Sequence, residues 1–137
     1  MKNFLRIITL LGVLLIIGSC SSSKSVNTSE VTVGDGKLEV IFAPQFTYQD
    51  MVITLWKYNS STGSYVKQGY ADIDAPMLLS SSDTMKITGT FRYVQGASTV
   101  TDYINDFPLD LSVHYSVNRR KITYKIYSDG SIFPTFN

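Results

Sequence analysis

The chain has 137 residues, enough for one domain, and 44% hydrophobic against 17% charged residues excludes a disordered chain. A formal charge of +1 excludes recognition of nucleic acid by bulk electrostatics, so no nucleic-acid partner is expected. Nine tyrosines and seven phenylalanines favour strands over helices, and a single cysteine leaves no partner for an internal disulfide.

The first residues have the layout of an export signal. Lys2 and Arg6 precede an apolar run from Ile7 to Ile17, broken only by Thr9 and Gly12, and the small residues Gly18 and Ser19 follow. The run is too short to span a bilayer as a mature helix, which needs roughly 20 residues. Ile17-Gly18-Ser19-Cys20 resembles the lipobox of bacterial lipoproteins: an aliphatic residue, two small residues and the defining cysteine. That resemblance covers about the first 20 residues. It implies cleavage before Cys20, a diacylglyceryl group on its sulfur and acylation of the new amine. The plainer alternative is an ordinary signal peptide or membrane anchor in which Cys20 is incidental. Two or more acyl chains make a stable anchor where one does not. No cofactor is expected beyond that covalent lipid, and a lipidated Cys20 offers neither thiol chemistry nor a cysteine metal site.

The domain organisation expected is therefore a signal peptide over 1–19, a lipidated cysteine and flexible tether over 20–35, and a β-sandwich domain over 36–137. Cleavage removes Lys2 and Arg6, leaves ten basic residues against eleven acidic ones, and turns the net charge to −1. The polar run Ser21–Ser29 suits a tether. Ser21 resembles the pattern that sorts enterobacterial lipoproteins to the outer membrane. With no acidic stretch before Glu30, a periplasm-facing position is expected.

From Gly36 onward the pattern has period two. Leu38, Val40 and Phe42 alternate with Lys37, Glu39 and Ile41, giving a first strand. Met51–Tyr58 is apolar on both faces, as a central strand is. The turn Asn59–Gly63 returns it as a hairpin into Ser64–Tyr70, and Asp72–Pro76 breaks the sheet. Met77–Ser82 and Thr101–Asp106 are each read as no more than one helical turn. Between them, Met85, Ile87, Phe91 and Tyr93 share one face of a strand and Lys86, Thr88, Thr90 and Arg92 the other. Gly89 falls on the apolar side, at a bulge or under a bulky neighbour. Leu109–Val117 alternates as another strand, Asn118–Arg120 turns, and Lys121–Tyr127 follows with Ile122, Tyr124 and Ile126 inward. A last turn over Ser128–Ser131 precedes an Ile132-Phe133 tail. The fold expected is all-β, an antiparallel sandwich of about six to eight strands, transthyretin-like or immunoglobulin-like, with a small closed barrel as the alternative.

No catalytic constellation is legible, and the chain is not expected to be an enzyme. His114, the only histidine, stands four strand residues from Asp110, about 13 Å, too far for an oriented base, and no G-x-S-x-G elbow occurs. Asp72, Asp74, Asp102, Asp106 and Asp110 lack the spacing of an EF-hand, so no metal site is expected. Arg119-Arg120-Lys121 is the one concentrated charge feature. At a hairpin tip the three cations suit phosphates of lipid head groups or an acidic partner, and they are the candidate partner contact; a hydrated turn is the plainer reading. Trp56, in the most apolar strand, is expected in the core. Tyr58, Tyr65, Tyr70 and Tyr127 make a binding patch if several share an exposed face.

The expected function is that of an assembly or scaffold lipoprotein of the cell envelope, anchored in the outer membrane and holding an envelope protein partner through loops or a sheet edge. Lipobox, short tether and small β domain are similar in plan to the sandwich lipoproteins of secretion-system membrane complexes such as type VI secretion. The likeness is architectural and carries over no residue. The alternatives are a ligand- or glycan-binding lipoprotein and an inhibitor or immunity-type lipoprotein.

Overall fold

The computed structural model describes residues 34–137; the expected signal peptide, Cys20 and the expected tether up to Val33 lie outside the described residues. Eight strands follow in chain order: β1 Lys37–Pro44, β2 Asp50–Asn59, β3 Ser64–Tyr70, β4 Met77–Ser80, β5 Met85–Gln95, β6 Ser98–Pro108, β7 Lys121–Ile126 and β8 Ile132–Phe136. A single helical turn, α1 Leu111–His114, stands between β6 and β7. The strands form two open four-stranded sheets, β4-β1-β7-β8 (sheet A) and β3-β2-β5-β6 (sheet B), so the fold is an all-β sandwich and not a closed barrel. Among the described residues no helix is long and apolar enough to cross a membrane.

Period-two alternation builds both inner faces. In sheet A, Leu38, Val40 and Phe42 of β1 and Ile122, Tyr124 and Ile126 of β7 are buried. In sheet B, Ile53 and Leu55 of β2, Met85, Ile87 and Phe91 of β5 and Ile104 of β6 face them in one continuous core. Each such side chain contributes roughly 1.5–3 kcal/mol by leaving water. Tyr124 is fully buried, with its ring stacked on Phe42 at 5.6 Å. Its hydroxyl donates to the main-chain oxygen of Leu109, which ties sheet A to the end of β6. Burial first, and the charge of Asp110 second, push the phenol above the usual tyrosine value.

Gly89 sits where the β5–β6 register shifts between Ile87 and Gly89. A Cβ built there would lie 2.9 Å from the Val52 carbonyl oxygen and 3.1 Å from Ile104 Cδ1. Both the bulge and the bulky neighbour expected at this position are present.

Four sequence-based expectations are corrected. Met77–Ser80 is a strand, paired with β1 from Lys37↔Ser80 to Val40↔Met77. Thr101–Asp106 lies within the long strand β6. Sheet A is not wholly antiparallel: β1 and β7 run parallel, with Val40 opposite Ile122 and Phe42 opposite Tyr124. The fourth correction is the largest, because Leu109–Val117 is not a strand. Asp110 takes a left-handed conformation (φ 47°, ψ 41°), which aspartate tolerates and an extended strand does not. The chain then coils once, with His114 N–H donating to the Asp110 carbonyl and Tyr115 N–H to that of Leu111. Leu109 and Leu111 enter the core, whereas Val113 and Val117 are 75% and 73% exposed. A tight turn closed by the Ser116–Arg119 bridge leads on to β7.

Candidate functional site

The outer face of sheet B gathers side chains that a solvated sheet has no structural need of. Residues in register across neighbouring strands share a face. Thr54, Trp56 and Tyr58 of β2 therefore stand beside Tyr70, Lys67 and Tyr65 of β3, and Thr54 and Trp56 beside Thr88 and Lys86 of β5. On β6, Tyr103 lies opposite Thr90. Tyr58, Tyr65 and Tyr70 thus share a face, as a binding patch requires. Tyr127 does not join them; it packs edge-on against Phe133 at 5.9 Å, at the other sheet.

Trp56 is on this outer face and not in the core, a further correction. The run Met51–Tyr58 is apolar on both sides, so alternation alone did not decide which set faces in; Ile53 and Leu55 do. The half-buried indole donates from Nε1 to Thr88 Oγ1 at 2.9 Å, which fixes the ring against the sheet. Beside it, Tyr58 and Tyr65 meet edge to face at 5.4 Å. Lys86 Nζ lies 4.4 Å from the Tyr65 ring centre and 2.6 Å from Asp106 Oδ1. Lys67 Nζ lies 4.0 Å from the Tyr70 ring centre and donates to the Tyr70 hydroxyl at 2.7 Å. Cations thus cover the faces of two of the rings. At the far end of β5, the Arg92 guanidinium holds Asp50 through two nitrogens, and that hydrogen bond and charge raise its pKa further.

Two shallow depressions flank the Trp56–Tyr58 strip. One, of about 270 Å³, is walled by Thr54, Thr88, Thr90, Tyr103 and Asn105. The other, of about 340 Å³, opens around the β2–β3 edge past Tyr58, onto the opposite face, where Lys57 and Val66 stand in register. Val52, Tyr70 and Tyr103 leave 49–63% of their area exposed around this face. A face of rigid aromatics, Val52 and anchored lysines offers apolar area with fixed hydrogen-bonding points, the chemistry of a contact surface.

The cations Arg119, Arg120 and Lys121 have different settings. Arg119 lies over the Phe136 ring at 4.5 Å, Arg120 turns back to Asp35 at 2.8 Å and to the Val117 carbonyl at 3.2 Å, and Lys121 opens β7 in solvent. His114 stands on α1 and not on a strand, with Phe136 at 5.1 Å and Tyr124 at 6.5 Å as its ring neighbours. Among the described residues no group of three or more His, Cys, Asp or Glu side chains is placed to hold a metal. Asp106 is held by Lys86, and Asp74, Asp106 and Asp110 take positive φ at turns and irregularities of the chain.

Sequence reasoning missed Tyr103 because Thr101–Asp106 was assigned to a helical turn. The signal was present: Val100, Asp102 and Ile104 alternate with Thr101 and Tyr103 after a glycine turn at Gly96. Lys86 was legible as an outward residue, but its seat on a tyrosine ring, like that of Lys67, depends on cross-strand register. No family model matches the chain, no curated protein matches it, and no solved structure matches its fold.

Proposed function

We propose that the chain is a non-enzymatic lipoprotein, anchored through Cys20 in the outer membrane and facing the periplasm, whose sandwich domain is a scaffold component of an envelope protein complex. The outer face of sheet B is its partner-binding surface. The observation that carries this reading is the strip of Trp56, Tyr58, Tyr65, Tyr70 and Tyr103 on one open sheet, locked by Thr88 and two lysines. Aromatic anchors held rigid lose little entropy on binding and dominate protein contacts. A type VI secretion membrane complex is one assembly that this plan fits.

A glycan-binding lipoprotein is the second reading. The threonine-walled depression beside Tyr103 and Asn105 favours it, because hydroxyl and amide groups suit sugar hydroxyls. Against it, sugar stacking needs free ring faces, and Lys86 stands over one face of Tyr65 while Lys67 stands over the hydroxyl end of Tyr70.

The test uses the full lipidated chain in the envelope with a photoreactive residue in place of Tyr103, or in place of Leu78 on sheet A as a control. The scaffold reading expects one defined envelope protein cross-linked from position 103, not from 78, and lost on Trp56→Ala. Equal cross-linking from both positions, or none, refutes it. Saturable binding of cell-wall oligosaccharides, abolished by Tyr103→Ala, would install the second reading instead. The anchor has its own check: Cys20→Ala is expected to leave an uncleaved precursor or a protein released from membranes.

A further inference from the structure

A second surface lies at the end of the domain where the tether arrives. The chain enters at Gly34, and its first residues are pinned there. Arg120 Nη2 holds Asp35 Oδ1 at 2.8 Å, the Tyr115 hydroxyl accepts from Gly36 N–H at 3.0 Å, and Glu39 N–H donates to the Arg120 carbonyl at 2.7 Å. The segment that does the pinning, Asp110–Lys121, also carries the two most exposed large hydrophobics described, Val113 at 75% and Val117 at 73%. Val117 lies in the Ser116–Arg119 turn and Val113 on the neighbouring helical turn. Phe136, 40% exposed, joins them under the Arg119 guanidinium.

Around these apolar tips stand Lys37, Arg119 and Lys121, all exposed, and among the described residues no ion pair engages any of the three. The acids on this side are Asp35, which Arg120 holds, Asp83, which Lys57 holds in the turn beside Gly36, Glu39 in register with Lys121, and Asp110. Only thirteen residues separate Cys20 from Gly34, so the domain's entry point stays within roughly 50 Å of the lipid even with the chain fully extended.

We infer that this pole, centred on Val113, Val117, Arg119 and Lys121, seats the domain on the anionic phospholipid surface in which its own anchor is embedded. The inference rests on the lipoprotein reading above. The valines and Phe136 enter the head-group boundary, while Arg119, Lys121 and Lys37 meet lipid phosphates, the combination that interfacial binding requires. The seat fixes orientation: β5 runs about 33 Å away from this pole to the hairpin tip at Ala97, so sheet B stands upright with its aromatic face open sideways.

The test takes the full lipidated chain, purified in detergent, weighed by mass spectrometry and reconstituted into vesicles of phosphatidylethanolamine and phosphatidylglycerol. With Cys20 alkylated by its lipid, Val117→Cys or Val113→Cys supplies a single free thiol for a fluorophore, and Ala97→Cys is the control at the opposite end. A lipid-borne quencher is expected to reach the label at 117 and at 113 several-fold more than the label at 97. Arg119→Gln with Lys121→Gln is expected to weaken the docking equilibrium about 25-fold, each cation at an anionic surface being worth about fivefold. Equal quenching at 117, 113 and 97 overturns the inference and leaves the lipoprotein reading standing. A mass without lipid overturns both.

Discussion

Tyr124→Phe isolates one hydrogen bond and one ionisation at the centre of the sandwich. The substitution keeps the ring on Phe42 and removes only the hydroxyl that donates to Leu109. Both residues are fully buried, so the Leu109 carbonyl loses this partner without gaining water. Such a deletion costs about 1–3 kcal/mol. For a domain of this size that lowers the melting temperature by roughly 5–15 °C. The pH dependence is the sharper signature. An unfolded tyrosine loses its proton near pH 10. In the folded protein, burial and then the Asp110 charge keep the phenol neutral to higher pH. Above pH 10 the unfolded state therefore sheds a proton that the native state keeps, and stability falls as pH rises. By pH 11 the native protein has lost about 1 kcal/mol through this residue and Tyr124→Phe none. Urea unfolding followed by the fluorescence of the only tryptophan, Trp56, reads both curves. The gap between them is expected to be full at pH 7 and to narrow by about 1 kcal/mol at pH 11, every other tyrosine cancelling in the comparison. A gap that stays constant from pH 7 to 11, or a loss at pH 7 below about 0.5 kcal/mol, refutes the reasoning.

Other substitutions probe other parts of the structure. Gly89→Ala places a Cβ against the Val52 carbonyl at 2.9 Å, backbone that gives little, and is expected to lower the urea midpoint by the equivalent of about 1–3 kcal/mol. Leu111→Ala is expected to cost about 2–5 kcal/mol, whereas Val113→Ser and Val117→Ser each stay within about 0.5 kcal/mol; equal effects at all three would restore a strand over Leu109–Val117. Ser131 donates its hydroxyl and its N–H to Asp129, which hold that carboxyl below its usual range. Ser131→Ala is expected to bring it back up, read as a rise in the Asp129 titration midpoint by NMR.

The fold was legible wherever one face of a strand is apolar and the other polar. Leu38, Val40 and Phe42, or Ile122, Tyr124 and Ile126, declare their sheet face through period two alone. Leu109–Val117 mimics that pattern, and it misled because a single left-handed residue, Asp110, interrupts it; nothing in the alternation of Leu111, Val113 and Tyr115 reports a local φ. The four-residue β4 was too short to show a period and exists because β1 offers it an edge. The candidate site was half legible. Tyr58, Tyr65 and Tyr70 were singled out as residue types, but their common face depends on the β2–β3 register, which shifts at Leu55/Trp56. Lys67 and Lys86 acquire their meaning only across strands.

The parallel pairing of β1 with β7 bears on the order in which the domain is made. Sheet B is contiguous, spanning Asp50 to Pro108 with hairpins at both ends, apart from the short β4. Its partners lie close along the chain and meet at small entropic expense. The central pair of sheet A joins Val40 to Ile122, 82 residues apart, and β8 completes the sheet at Phe136. Closing that loop is slow and comes late. Until the sixteen residues from Lys121 to Phe136 are available, β1 has beside it only the four residues of β4 and the isolated bridge from Phe42 to Ile73. The domain is thus assembled in two tempos, and sheet A cannot be completed until β7 and β8 have both been made.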